Sequence, residues 1–141
     1  MKSKYFSLLT MLLPALAAAE IPTSWHRCLS SEGDKPIHLE WREYSTVTPD
    51  WSAAYIRYGS NKKVVSIVLK ETKAIEMAEG RPWEYDSTWV EVNAGKITGE
   101  YEIHTQGANI YYFVYLNYKT GKKFSFDQDD AAYTEEGCHW K

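Results

Sequence analysis

From Pro36 onward, apolar residues alternate with polar ones instead of recurring every three or four positions, the period of extended strands with one buried face. Ile37, Leu39 and Trp41 fall on one side of the first such stretch, and His38, Glu40 and Arg42 on the other. The next strand is read at 51–58, followed by the turn Gly59-Ser60-Asn61-Lys62 and by 64–69, which is apolar on both sides. Residues 88–92 lead through Asn93-Ala94-Gly95-Lys96 into the clearest alternation in the chain. There Ile97, Gly99, Tyr101 and Ile103 oppose Lys96, Thr98, Glu100 and Glu102. The turn Gln106-Gly107-Ala108-Asn109 opens the strand 110–118, and Lys119-Thr120-Gly121-Lys122 turns again into Phe124 and Phe126.

Residues 70–79 are good helix formers that stop at Gly80 with Pro82 beyond, so the segment reads either as a short helix or as an extension of the strand before it. The pattern as a whole predicts an all-β fold. It is a single antiparallel meander of seven or eight strands, closed as a small barrel or folded as a two-sheet sandwich, because an open sheet of that width would expose long edges. The short hairpin connections favour the barrel, since sandwiches need longer crossovers.

The N-terminus departs from this rhythm. Lys2 and Lys4 precede an apolar run over 5–16, and Ala17-Ala18-Ala19 supplies the small residues of a signal-peptidase site. The run is too short for a membrane span and contains Pro14, so the expectation is a cleaved secretory signal at 1–19 and a single all-β domain over 20–141, with no membrane span. Residue 20 is Glu rather than Cys, which argues against a lipid anchor at the new terminus. The expected location is the periplasm or the extracellular medium.

Composition narrows the function classes. The chain is 44% hydrophobic and 25% charged, the balance of a globular protein with a packed core. Removing the signal leaves 14 basic against 19 acidic residues, a net charge of −5, which is a poor surface for nucleic acid. Cys28 and Cys138 are the two cysteines, and in an oxidising compartment they are expected to pair, tying the chain ends together. A zinc site from His26, Cys28, Cys138 and His139 is the weaker alternative, because its ligand spacing is too tight for a zinc finger. No metal and no cofactor is expected.

Signatures of a nucleophilic serine, a zinc protease or a phosphate loop are absent, and the expectation is that the protein is not an enzyme. Glu100 and Glu102 share a polar strand face rather than flanking a substrate, and His104 has no evident partner. Asp127-Gln128-Asp129-Asp130 begins like a calcium loop, but Ala132 and Cys138 stand where such a loop needs Gly and Glu.

Aromatic residues are the unusual feature, at 15% of the chain with six tryptophans. In 110–116 both faces are apolar, so that one packs inside while Tyr111, Phe113 and Tyr115 present a recognition face or meet a second layer. Two loops could enter a partner's cleft: Arg81, Trp83 and Tyr85 in one, and the acidic Asp127, Asp129, Asp130, Glu135 and Glu136 in the other. These features together suggest an exported binding protein of the inhibitor or immunity type, occluding the active site of a protein partner such as a cell-wall hydrolase or toxin. In size and architecture such a protein is similar to the small periplasmic lysozyme inhibitors and to periplasmic immunity proteins, although no motif of either carries a functional residue across. The alternative is a barrel that binds a small apolar or carbohydrate ligand, lined by residues such as Trp41, Trp89 and Tyr101.

Overall fold

The computed structural model describes residues 21–47 and 50–141. The export signal read at 1–19 lies outside them. Eight antiparallel strands follow one another as β1 (Thr23–Ser31), β2 (His38–Thr46), β3 (Trp51–Tyr58), β4 (Val64–Ile75), β5 (Glu84–Asn93), β6 (Lys96–Gln106), β7 (Asn109–Asn117) and β8 (Lys123–Gln128). Each pairs with its neighbours in sequence, and β8 pairs back onto β1 through Leu29 with Gln128, Ser30 with Asp127 and Ser31 with Phe126. The sheet is a closed barrel, so the sandwich alternative falls away. A single 3-10 turn, Asp130–Ala132, is the only helical element among the described residues.

Three departures from strict alternation decide where side chains point. The segment 70–79 contains no helix: strand pairing with β5 carries β4 on to Ile75, and a register shift between Leu69 and Glu71 turns both Leu69 and Thr72 inward. Pairing with β5 along one edge outweighs the helix propensity of ten residues. A second shift at Glu91/Val92 lies beside the β5–β6 hairpin, where Ala94 (φ 48°) and Gly95 (φ 76°) both take the left-handed conformation that a two-residue hairpin turn requires. A third, opposite His104/Thr105, makes Tyr111 the extra residue of β7.

β1 escaped the sequence pattern because its inward positions include Trp25 and Arg27 rather than a clean apolar series. The strand read at 64–69 as apolar on both sides divides between the core and the outer wall. Ile67 is in the core, but Val64 and Val68 stand exposed on the outer wall because no second layer covers β4.

The core is the barrel interior, built from Leu29, Leu39, Trp41, Ile56, Ile67, Trp89, Tyr101, Ile103, Phe113, Tyr115 and Phe126. At the end bounded by the β3–β4, β5–β6 and β7–β8 turns, a polar cluster fills it. The buried Glu91 carboxylate accepts hydrogen bonds from Tyr101 Oη (3.0 Å), Tyr115 Oη (3.3 Å) and the Thr98 hydroxyl, and Tyr101 Oη meets Tyr58 Oη at 2.9 Å. Burial and the neighbouring carboxylate push the Tyr101 phenol far above its ordinary pKa and Tyr115 up to about 12, so both hydroxyls stay protonated and donate.

Candidate functional site

The opposite end of the barrel is open. Where β1, β3, β5 and β7 begin and β2, β4 and β6 end, the inward side chains leave a cup of about 450 Å³. Its walls are aromatic: Trp25 meets Trp41 edge-on at 4.8 Å with an interplanar angle of 67°, and Trp41 meets Trp89 at 6.1 Å and 68°. Tyr85, Leu69 and Ile110 continue the lining, with Ser52, Thr72, Ser87, Thr105 and Asn109 as its neutral polar groups. The indole nitrogens of Trp41 and Trp89 are buried without a hydrogen-bond acceptor. Edge-to-face packing of indoles tolerates this, because the donor edge of one ring can rest on the π face of the next.

Two charged side chains reach this cup from adjacent strands. Glu43 on β2 sits directly across from Trp25 on β1 and from Ala54 on β3, whose methyl leaves space before the carboxylate. No hydrogen bond or ion pair joins Glu43 to any described residue, and burial pushes its carboxyl up to about 7. Arg27 on β1 is otherwise engaged: its guanidinium lies 5.0 Å from the Trp25 ring centroid and donates to the His26 carbonyl at 3.1 Å. Sequence reading placed Trp41 and Trp89 correctly in such a lining but not Tyr101, which belongs to the cluster at the closed end. Glu43 continues the inward series of Leu39 and Trp41 by period two, but the apolar run ends at Trp41 and a glutamate after it reads as solvent-facing.

The remaining residues singled out in the sequence divide. Phe113 (1% exposed) and Tyr115 (8%) point into the barrel, so they cannot form a recognition face; the bulge leaves Tyr111, 61% exposed, as the outward member of that trio. Arg81 and Trp83 are exposed on the β4–β5 connection and Tyr85 at the start of β5, at the rim of the cup. Gln106 Nε2 donates to the Pro82 carbonyl at 3.1 Å and ties that connection to the end of β6.

The acidic stretch does not project as a plug. After β8 the chain lies along the outer wall of β1 and β2 as a strap. The Cys28–Cys138 disulfide fastens it, and a bridge between Tyr133 and Cys138 closes it into a loop. His26 stacks on Tyr133 at 4.6 Å and its Nε2 donates to the Thr134 carbonyl at 2.8 Å, while His38 stacks on Trp140. Within the strap Asp129 is half-buried and accepts from Ser30 Oγ at 2.8 Å, whereas Asp127, Asp130, Glu135 and Glu136 remain exposed. Under the strap lies Glu40, fully buried although its outward position reads as solvent-facing. Arg42 Nε (2.9 Å), the Arg57 guanidinium and the backbone N–H of Cys138 (3.1 Å) all donate to its carboxylate.

Neither strap nor outer wall assembles a reactive centre. Ser30 Oγ lies between His38 Nδ1 (2.7 Å) and Asp129, whereas a nucleophilic serine needs the histidine in the middle. His26, Cys28 and Cys138 come together with metal-ligand geometry. The two sulfurs are bonded to each other, however, so neither is a thiolate that could bind zinc. On the outer wall, Tyr118 Oη at 2.7 Å and Lys70 hold the Glu100 carboxyl below its ordinary range, unsuited to acid catalysis, and Tyr112 Oη donates to Glu102 at 3.2 Å. His104 has partners after all, Asp86 at Nδ1 and Glu84 at 3.5 Å from Nε2.

No family model, no curated protein and no solved structure matches this chain. Among the described residues no helix is long and apolar enough to cross a membrane.

Proposed function

We propose that this is an exported binding protein whose working element is the open end of the barrel, which takes up a small ligand rather than transforming one. The observation that carries this reading is the aromatic-walled cup of about 450 Å³, a volume suited to a small organic molecule. Flat indole walls supply apolar contact, and hydroxyl and amide groups near the mouth supply orientation. The cup holds one carboxylate, Glu43, so chemistry that needs a pair of carboxylates flanking a bond has no second group there among the described residues. Export agrees with the disulfide, which persists in oxidising compartments.

The test is thermal stabilisation by a panel of amines, saccharides and apolar acids, with Ser87→Trp as the blocking variant, since Ser87 lines the cup. At least one class is expected to raise the melting temperature of the wild type and to leave Ser87→Trp unmoved. No shift with any class overturns the reading. A second reading, occlusion of a partner protein's cleft by the rim, draws support from the exposed Arg81, Trp83 and Tyr85 beside the cup, a cluster of the residue types that dominate binding hot spots. Its test is stoichiometric capture of one partner from the same compartment by the wild type, lost in Trp83→Ala.

A further inference from the structure

The character of the ligand follows from what the cup lacks. Glu43 stands half-buried in the wall with space before it and no donor among the described residues, whereas the buried Glu40 is paired with two arginines. The charged or ionisable side chains that line the cup beside it are Arg27 on β1 and Tyr85 on β5, while β3 and β4 contribute Ser52, Leu69 and Thr72. Arg27 does not neutralise Glu43. It makes no ion pair with it, and its guanidinium is engaged by the His26 carbonyl and the Trp25 ring. Trp25 and Trp41 meet at 67° and Trp41 and Trp89 at 68° in the lining that Glu43 shares, and Trp25 already carries a cation on its ring in the form of Arg27. An indole face that fronts a cavity is negative and attracts an organic cation.

We propose that the cup binds an organic ammonium group, its charge facing Glu43 and its alkyl substituents against the tryptophan walls. This rests on the reading of the cup as a ligand site and adds the sign of the ligand's charge. A bound cation completes the ion pair that the protein leaves open, and a neutral molecule of the same shape gains the apolar contact alone. Protonation of Glu43 removes the attraction, so affinity falls with acidity.

Titration of the purified, disulfide-intact protein with choline and with its neutral isostere 3,3-dimethyl-1-butanol, read by tryptophan fluorescence, tests this. Choline is expected to bind at least about tenfold more tightly than the isostere, and Glu43→Gln to bring choline down to the isostere's level. In the wild type choline affinity is expected to drop at least about fivefold from about pH 8 to about pH 5.5, and in Glu43→Gln to stay level. Equal binding of the two probes, or choline binding untouched by Glu43→Gln, overturns the charge assignment. If Ser87→Trp still abolishes that binding, the cup remains the site. Failure of choline while a saccharide or apolar acid binds has the same meaning, and failure of every probe overturns both the cup and the cation.

Discussion

The backbone N–H of Cys138 donates to the Glu40 carboxylate at 3.1 Å across 98 residues of chain, beneath the same strap that the Cys28–Cys138 bond fastens. Covalent and electrostatic clasps therefore hold one place on the barrel wall. The Gly137 backbone lies against this cluster, where a Cβ would come 3.0 Å from Glu40 Oε2 and 3.3 Å from the Arg42 and Arg57 guanidinium nitrogens.

Removing the acid from this cluster leaves two arginines and an amide without their acceptor. Glu40→Ala is expected to cost about 3–5 kcal/mol, measured as a lowered urea midpoint at neutral pH. Burial alone pushes the Glu40 carboxyl up, but the Cys138 N–H with Arg42 and Arg57 outweighs it, and the net pKa is lowered. A carboxyl lowered in the folded state stabilises above its unfolded pKa and loses that contribution as pH falls through the folded one. Wild type is thus expected to lose stability below about pH 4.5 more steeply than Glu40→Gln. Parallel acid profiles for the two would remove Glu40 from the account of acid unfolding.

The disulfide closes 110 residues, nearly the whole barrel. On the chain-entropy model its removal is expected to cost about 4 kcal/mol, in Cys28→Ser/Cys138→Ser or under reductant. The barrel's ladders do not depend on the strap, so the reduced protein is expected to keep its β circular dichroism at low urea while the strap amides lose hydrogen-exchange protection. Unchanged protection over 129–140 would mean that the stacks on His26 and His38 suffice to hold the strap.

The period-two pattern made the meander readable, because β2 to β8 each bury one face and join through short turns. Closure was readable for the same reason, as eight twisted strands leave two edges that only each other can satisfy. What alternation could not carry was any residue whose environment is set from far away. Glu40 reads as an outward polar residue and becomes buried only because a strap 98 residues later covers it. Phe113 and Tyr115 were assigned to the wrong face because a bulge at Tyr111 reverses the alternation there, and a bulge leaves no mark in a run where every residue is apolar. The cup was half legible: Trp41 and Trp89 announce an aromatic interior, but the open end depends on how far the core side chains fill the barrel.

Gly99 marks where the closed end is tightest. A Cβ there would stand 2.5 Å from Tyr115 Cε2 and 2.7 Å from the Leu116 carbonyl oxygen, so the Tyr115 ring that reaches Glu91 lies where a side chain would go. Gly99→Ala is expected to destabilise by about 1–3 kcal/mol, read from urea unfolding. It is also expected to shift the near-ultraviolet tyrosine signal as Tyr115 moves off Glu91. Tyr115→Phe keeps the ring and removes only its hydroxyl, so it is expected to cost less, about 1 kcal/mol. The reverse order would place the strain elsewhere.

Glu43 gives the opposite pH signature to Glu40, and in the absence of any ligand. Its carboxyl is pushed up to about 7 in the folded protein by burial, against an ordinary value of 4.5. Between those two values the folded state holds a proton that the unfolded chain has released, so stability falls as pH rises through that window and then levels off. The difference is of order 2–3 kcal/mol, allowing for the partial exposure of the side chain. Glu43→Gln removes a charge that must be desolvated, and is expected to melt at the wild-type temperature near pH 5 but several degrees above it near pH 8. A constant gap at both pH values would mean that the carboxylate is solvated in the cup. Saturating choline is expected to narrow the gap at the higher pH, because the cation stabilises the ionised wild type and finds no charge in the variant.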